Sequence, residues 1–454
     1  MNPLQQYLDL HDAHLETINE HAPEQLNNLR ARARKALSGA TLPRRGSDGF
    51  EATDLPAAFA PDYGVNINRV DFDIDAANAF RCDVPNLSTC LYFNYNDIPH
   101  AGATARRDNG GPIVCSFMEA SIFYPELLDR HLGTIAPLDN PTVALNSMLA
   151  QDGLLMYIPD GVTAERTIQL VNLLNASQPL MATRRLLIIV GRDAHARMLV
   201  CDHTQSNQVP CMTNQVVEIF LDHGATFDLY DLEESNTITT RVNNVYATQQ
   251  ADTNLLLDTI TLTNGFTRNN FNINVDGAHA QTQLLGMAIA GGRQLIDNNT
   301  LLIHQAPHCQ SNEMFKYVLT DQATGAFEGK ILVRPDCPRV EAYQGNRNIV
   351  ASPTARMHTK PQLEIYTDDV RCSHGTTIGQ LDEEALFYMR SRGISLPEAK
   401  RLLMQAFMSD VIEAVRLDNL RDRLRYLVDR RLDPTSPCNA DDPCAACNTQ
   451  KTTE

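Results

Sequence analysis

The sequence predicts a mainly β chain, a β-solenoid core held between helical segments at its two ends, and three observations carry that prediction. Between about Ile113 and Thr377 the chain is built of short apolar runs separated by small turn residues. LLIIV (186 to 190), VVEIFL (216 to 221), NLLLDTITL (254 to 262), FNINV (271 to 275), NTLLIH (299 to 304) and GKILV (329 to 333) are examples. They are rich in β-branched residues and alternate in polarity, as strands do. The turns recur as well: Ala194, Ala225, Ala251 and Ala278 stand 31, 26 and 27 residues apart, a loose period in the solenoid range. No helical stretch of ten or more residues interrupts these runs, which disfavours a doubly wound α/β sheet. Each rung of a solenoid needs a small residue where the backbone turns a corner and apolar residues pointing into the stack.

The elements follow in order. Leu4, Leu8, His11, Leu15 and Ile18 are spaced by three and four, and Pro23 opens a second run through Leu26, Leu29 and Ala33, so two short helices are expected as an appendage. From Thr41 to about Pro112 prolines and glycines punctuate every long element, predicting an irregular connector with short strands. Residues 1–112 are thus read as an N-terminal helical region with its connector, and 113–379 as the β core. Helical periodicity returns in 380–432. A helix from Leu381 stops before Gly393, a residue suited to left-handed geometry, and Ser395-Leu396-Pro397-Glu398 caps the next. Its stripe runs through Leu402, Leu403, Ala406, Phe407, Val411 and Val415, with Arg416, Arg421, Arg425 and Arg431 following. Arginine faces of this kind are usually solvated, and partner docking is the second reading. Residues 433–454 are polar and are expected as a flexible, cysteine-containing tail.

Composition removes several function classes. A chain of 454 residues buries a substantial core, and 38 basic against 55 acidic residues leave a formal charge of −17. That charge repels phosphate backbones and anionic lipid, so neither nucleic acid nor membrane is expected as a partner. The first residues have no basic and then apolar leader pattern, and a cytoplasmic location is expected. Eleven scattered cysteines, an odd number, argue for reduced thiols and not a disulfide framework.

Chemistry concentrates near the end of the β core. Cys372 and His374 are two residues apart, so on an extended strand both face the same side, a soft-ligand pair suited to iron, zinc or sulfur. The plainer reading is that both fill the end of a rung. His304, His308 and Cys309 in HQAPHC would form a metal comb on a helix. Pro307 and the preceding strand instead favour a core or turn role. Cys438, Cys444 and Cys447 give C-x5-C-x2-C, one ligand short of a structural zinc site. No GxxxxGK[ST], HExxH or GxSxG occurs, so the chain is not itself a P-loop ATPase. A β-solenoid polysaccharide lyase or hydrolase is the alternative class, but the paired carboxylates it needs are missing, since Asp368 and Asp369 are adjacent and diverge.

Cys372-Ser373-His374-Gly375-Thr376-Thr377 followed by Gly379 to Tyr388 closely resembles the SufB/SufD family of iron-sulfur cluster assembly proteins, and its SufD branch in particular. Phe315-Lys316, Phe327-Glu328-Gly329-Lys330, Ala342-Tyr343-Gln344 and Asn346-Arg347-Asn348 resemble it too, with similarity dense from Phe315 to Asp410 and looser back to Pro159. The resemblance implies a right-handed parallel β-helix with helical flanks, a non-enzymatic scaffold subunit working with a SufB-like homologue and a SufC-like ABC ATPase. A homodimer is also possible. It implies a transient iron or iron-sulfur cluster shared with the partner and no firmly bound cofactor. Residue by residue it points to His374, with Cys372 beside it. ATPase docking is expected in the region marked by Leu381, Phe387, Leu402, Phe407 and Arg416. Where the SufB branch has a Gln-Cys-Asp segment this chain has Gln344-Gly345-Asn346, so that thiol is absent.

Overall fold

The computed structural model describes residues 2–70, 89–100, 110–205 and 209–433. Two sheets face each other across a common lumen, and successive strands alternate between them. One sheet orders β1 (Thr89–Tyr95), β5 (Thr167–Leu174), β7 (His195–Thr204), β9 (Thr226–Glu234), β11 (Asn254–Thr263), β13 (Gln281–Ala290), β15 (Gln310–Leu319), β17 (Val340–Val350) and β19 (Val370–Gly379), with β2 (Ile98–His100) antiparallel on β1. The other orders β3 (Ile113–Ser116), β4 (Leu154–Ile158), β6 (Leu180–Val190), β8 (Cys211–Leu221), β10 (Thr239–Gln249), β12 (Phe266–Val275), β14 (Leu295–His304), β16 (Thr324–Val333) and β18 (Arg356–Ile365). Apart from the antiparallel β1–β2 and β3–β4 pairs all pairing is parallel, giving a β-solenoid of about eight turns.

The corner that closes each turn explains the recurring small residues. Register places Ala194, Ala225, Thr253, Ala280, Cys309, Val340 and Val370 in one column. Ala194 and Ala225 are therefore the expected corners, whereas Ala251 and Ala278 lie two residues before theirs. One position ahead of the corner the backbone is left-handed at Asp193, Gly224, Asp252, His279, His308 and Arg339. Each of these N–H groups donates to a carbonyl of the next turn, as from Asp252 to Ala278 at 2.9 Å and from His308 to Pro338 at 3.0 Å. A shared turn geometry, and not one residue type, sets the period.

Helices cover the two outer faces. The segment expected as pure β core opens on β3 and three short helices, α4 (Phe117–Phe123), α5 (Pro125–His131) and α6 (Pro141–Leu149), before the first full turn. Prolines at the first position of α5 and α6 and the Ser116 capping box of α4 start them, and none is long enough to show a clear period in sequence. α1 (Leu4–Glu20) and α2 (Glu24–Ala36) were expected as an appendage; they pack instead. Leu4, Tyr7 and Ala33 join Met148, Met181, Met212 and Val242 in one buried cluster, and the buried Arg30 donates to the Met148 carbonyl at 2.6 Å. The connector crosses the outer face of the β12–β18 strands near Gly49, and its α3 (Leu55–Ala58) joins the cluster of Tyr7, Met181 and Met212. Arg268 donates to the Gly49 carbonyl at 2.8 Å and Lys360 bonds Asp48 at 2.7 Å.

α7 (Glu383–Ser391), α8 (Leu396–Ala414) and α9 (Asp418–Leu432) follow β19. Met404, Met408, Val411 and Ile412 of α8 and Leu420, Leu424 and Val428 of α9 bury Leu256, Ile260, Leu285, Met287 and Val318 on the outer face of the first sheet. The lumen itself is half apolar and half polar. Arg241 lies buried between Asp202 (2.9 Å), Asp231 (2.6 Å) and Glu233 (3.8 Å), and Arg184 pairs with Asp202 at 3.0 Å. No helix among the described residues is long and apolar enough to cross a membrane.

Candidate functional site

β19 is the last strand of its sheet and carries the thiol and the imidazole. It pairs on one side with β17, setting Cys372 against Ala342 and His374 against Gln344. Cys372 packs against the central lumenal cluster and is half-buried; burial pushes its thiol pKa up, only partly offset by a hydrogen bond with the Ala342 backbone. His374, two residues on and so on the same lumenal face, is exposed because no further rung follows among the described residues. The same alternation puts Gly345 on the opposite, outer face, where a Cβ would press chiefly on the flexible end of Met314 (2.7 Å to Cε), with the Glu313 carbonyl at an ordinary 3.7 Å.

The thiol therefore sits at the lip of the lumen and the imidazole at its mouth. Among the described residues no three His, Cys, Asp or Glu groups converge to hold a metal ion, so Cys372 and His374 can give at most part of a donor set. To ligate iron the Cys372 thiol must lose its proton, which its partial burial opposes until a cation arrives.

In HQAPHC the three candidate side chains go different ways. His304 is buried with Nε2 on the Ser311 hydroxyl at 2.9 Å, and burial lowers its pKa to about 4, so the ring is neutral. Cys309 is a corner residue whose thiol donates to the Gly277 carbonyl at 3.2 Å, and burial raises its pKa. His308 adopts the left-handed turn position and stacks on His279 with centroids 5.0 Å apart. The three are thus divided between lumen, corner and outer turn. Cys438, Cys444 and Cys447 lie outside the described residues.

The helical residues singled out in sequence also separate. Leu381 and Phe407 pack toward the β-helix, where the Lys316 ammonium lies 4.8 Å over the Phe407 ring and bonds Asp410 at 2.6 Å. Arg416 is not simply solvated: it bonds Asp228 at 2.8 Å and Gln283 at 2.9 Å, and its backbone N–H donates to the Tyr230 hydroxyl. Arg431 likewise donates to the Leu262 carbonyl at 2.7 Å. Facing away, Phe387 on α7 is 75% exposed, and Leu402 lines a groove of about 360 Å³ between α8 and α9 with Ala406, Ile412 and Val428.

Sequence reasoning missed the residues that stand behind His374. Glu313 on β15 and Gln344 on β17 occupy the same lumenal column, buried and hydrogen-bonded to each other at 2.7 Å. A glutamate in alternation with the inward Phe315 and Tyr317 was the available signal.

Residues 172–407 match the family described as "SUF system FeS cluster assembly, SufBD core domain", and residues 1–170 match "SufBD protein N-terminal region". An iron-sulfur cluster assembly SufBD family protein of Synechocystis sp. is 28% identical over 417 residues, covering 89% of this chain and 91% of the relative. SufD of Bacillus subtilis is 22% identical over 436 residues, 94% of this chain and 98% of the relative. SufD of Escherichia coli is 33% identical over 165 residues, 36% of this chain and 39% of the relative.

Proposed function

The chain belongs to the SufBD family of iron-sulfur cluster assembly proteins, and from that membership we propose that it is the SufD-like subunit of a cytoplasmic scaffold. In this reading it pairs with a SufB-like homologue, docks a SufC-like ATPase and contributes His374 to a cluster built at the subunit contact. The observation that carries the reading is β19, a terminal strand with His374 exposed on it. An unpaired edge presents a row of free backbone donors and acceptors, and proteins ordinarily cover or charge such edges. Here Ile378 on β19, Ile365 and Tyr366 at the end of β18, and Phe387 and Tyr388 on α7 are exposed around it instead. A second homologous β-helix fits that chemistry, because it offers an edge of the same kind.

Among the described residues two donors stand at this strand, and in this reading the partner completes the ligand set and the cluster is cargo of the complex. The ATPase is assigned to α7–α9, with Phe387 and the Leu402 groove as the outward features. Arg416, Phe407 and Leu381 would then transmit force inward, since they tie these helices to the β-helix. A tagged full chain should retain both the homologue and the ATPase through purification, and Phe387→Asp should release the ATPase alone. His374→Ala should leave assembly of the complex intact and lower cluster yield in reconstitution; an undiminished yield removes His374 from the site.

A further inference from the structure

Strands β15, β17 and β19 place Glu313, Gln344 and His374 in successive register along one wall of the lumen. The Gln344 amide nitrogen donates to Glu313 Oε2 at 2.7 Å, and the Thr300 hydroxyl donates to the same oxygen at 3.1 Å from the facing sheet. Opposite Gln344 stands Gly329, where a Cβ would come within 2.4 Å of Gln344 Nε2 and 2.8 Å of its Cδ, so the absent side chain is the room the amide occupies. Two buried acceptors have no partner, Glu313 Oε1 and Gln344 Oε1. Unsatisfied buried oxygens on neighbouring rungs are uncommon enough to need an explanation.

The surroundings leave the protonation of Glu313 unfixed. Leu284 on β13, Thr300 on β14, Gly329 on β16 and Gln344 on β17 adjoin it, and none carries a charge. Burial raises its pKa to about 7, against smaller opposing effects of the Gln344 and Thr300 hydrogen bonds. The next titratable group along the column is His374 itself.

We propose that Glu313 and Gln344 act as an amide switch that sets which hydrogen-bonding group is presented to His374. With Glu313 ionised, Gln344 spends its NH2 on the carboxylate, as in this structure, and its unpartnered carbonyl oxygen is the acceptor left for a ring N–H of His374, a bond that would hold the tautomer whose other nitrogen is bare. That is the arrangement metal-binding imidazoles need, since the second ring nitrogen is ordinarily tied to an acceptor. When Glu313 takes one proton from water, its O–H donates to Gln344 Oε1, the amide turns over, and the NH2 now donates to a ring nitrogen and occupies its lone pair. No other bond changes. Glu313 and Gln344 are positioning residues, and the assignment rests on the reading of His374 given above.

The test is histidine-selective ¹⁵N labelling of the full chain, with the His374 signals identified by their loss in His374→Ala. Wild-type His374 should show, besides its own titration, an inflection near pH 7 that Glu313→Gln abolishes, and the pH dependence of cluster yield in the reconstituted complex should flatten in the same variant. Gln344→Met, a flexible side chain of similar size with no amide, should remove the inflection while leaving the Glu313 carboxyl in place. A single inflection, unchanged by either variant, overturns the switch. If Glu313→Gln does not fold, the wild-type titration and Gln344→Met still decide. Coupling without a cluster defect in His374→Ala keeps the switch but sinks the site reading; a cluster defect without coupling does the reverse.

Discussion

The two ends of the same solenoid are finished differently. At the first turns every residue of β5 and β6 is buried, under β1 and β2 on one sheet and α2, α4 and α6 on the other. In β19 no residue is fully buried, and β18 has none either. Both ends use parallel strands in continuous register, so strand pairing is not what distinguishes them. The difference lies in what covers the edge: helices and an antiparallel strand at the start, nothing from the described chain at the finish. The bare end is the one that carries the thiol and the imidazole, Cys372 half-buried and His374 exposed.

The sharpest way to break this comparison is to remove a buried charge at the covered end. Arg185 bonds Glu218 at 2.8 Å with both groups sequestered, so Arg185→Leu should cost about 3–5 kcal/mol. Arg371→Leu at the open end, an exposed pair with Glu341, should cost less than about 0.5 kcal/mol. Urea denaturation of the two variants measures both, and equal losses would mean that the two ends are energetically alike.

A second, smaller effect separates the helix-covered face from the bare edge by pH. Asp258 is fully buried beneath the C-terminal helices with both oxygens unpartnered, and burial alone raises its pKa to about 7. The folded state then keeps a proton that the unfolded chain gives up near its ordinary value of about 4. Stability on this account is greatest below about pH 4, falls as pH climbs to about 7 and is level above. Asp258→Asn should remove that part of the decline and add roughly 2 kcal/mol at pH 8. Glu233 and Glu313, also raised to about 7 by burial, leave a residual slope of the same sign. Thermal unfolding from pH 4 to pH 8 reads it, and an unchanged slope in Asp258→Asn refutes the assignment.

A glycine series gives the finest comparison. At Gly286 a Cβ would press within 2.1 Å of the Phe315 ring, at Gly345 it would press chiefly on the flexible thioether of Met314, and at Gly375 nothing lies within 4 Å. Alanine should cost about 1–3 kcal/mol at Gly286, well under 1 kcal/mol at Gly345, and close to nothing at Gly375. Calorimetric midpoints in that order would track the loosening of this sheet toward its last strand, since β13, β17 and β19 stand progressively closer to the edge; a reversed order would contradict an open end.

Much of this was legible without tertiary information, for local reasons. Alternation in NLLLDTITL or FNINV marks a strand because its side chains have two faces. Gly393 and Ser395 punctuate helices through φ > 0 and side-chain capping, as the structure repeats with φ +89° at Gly393 and a Ser395–Glu398 bond of 3.4 Å. The pairing of Cys372 with His374 on one face needed only the strand period. What failed was non-local. Ala251 and Ala278 mimic corners, but the column is occupied two residues later by Thr253 and Ala280, because register and not residue type assigns a corner. Arg416 reads as a solvated arginine, yet its partner Asp228 lies 188 positions away.

The sequence by itself determined the family, the solenoid with its helical ends, and the strand face shared by Cys372 and His374, all of which follow from periodicity and motif within a few dozen residues. Only the tertiary structure decided which end of the described solenoid stays open, that Glu313 and Gln344 stand in line behind His374, and that His304, Cys309 and His308 divide between lumen, corner and outer turn. Those facts depend on stacking turns about thirty residues apart, and a stacked column has no signature in a one-dimensional chain until the register of each rung on the next is known.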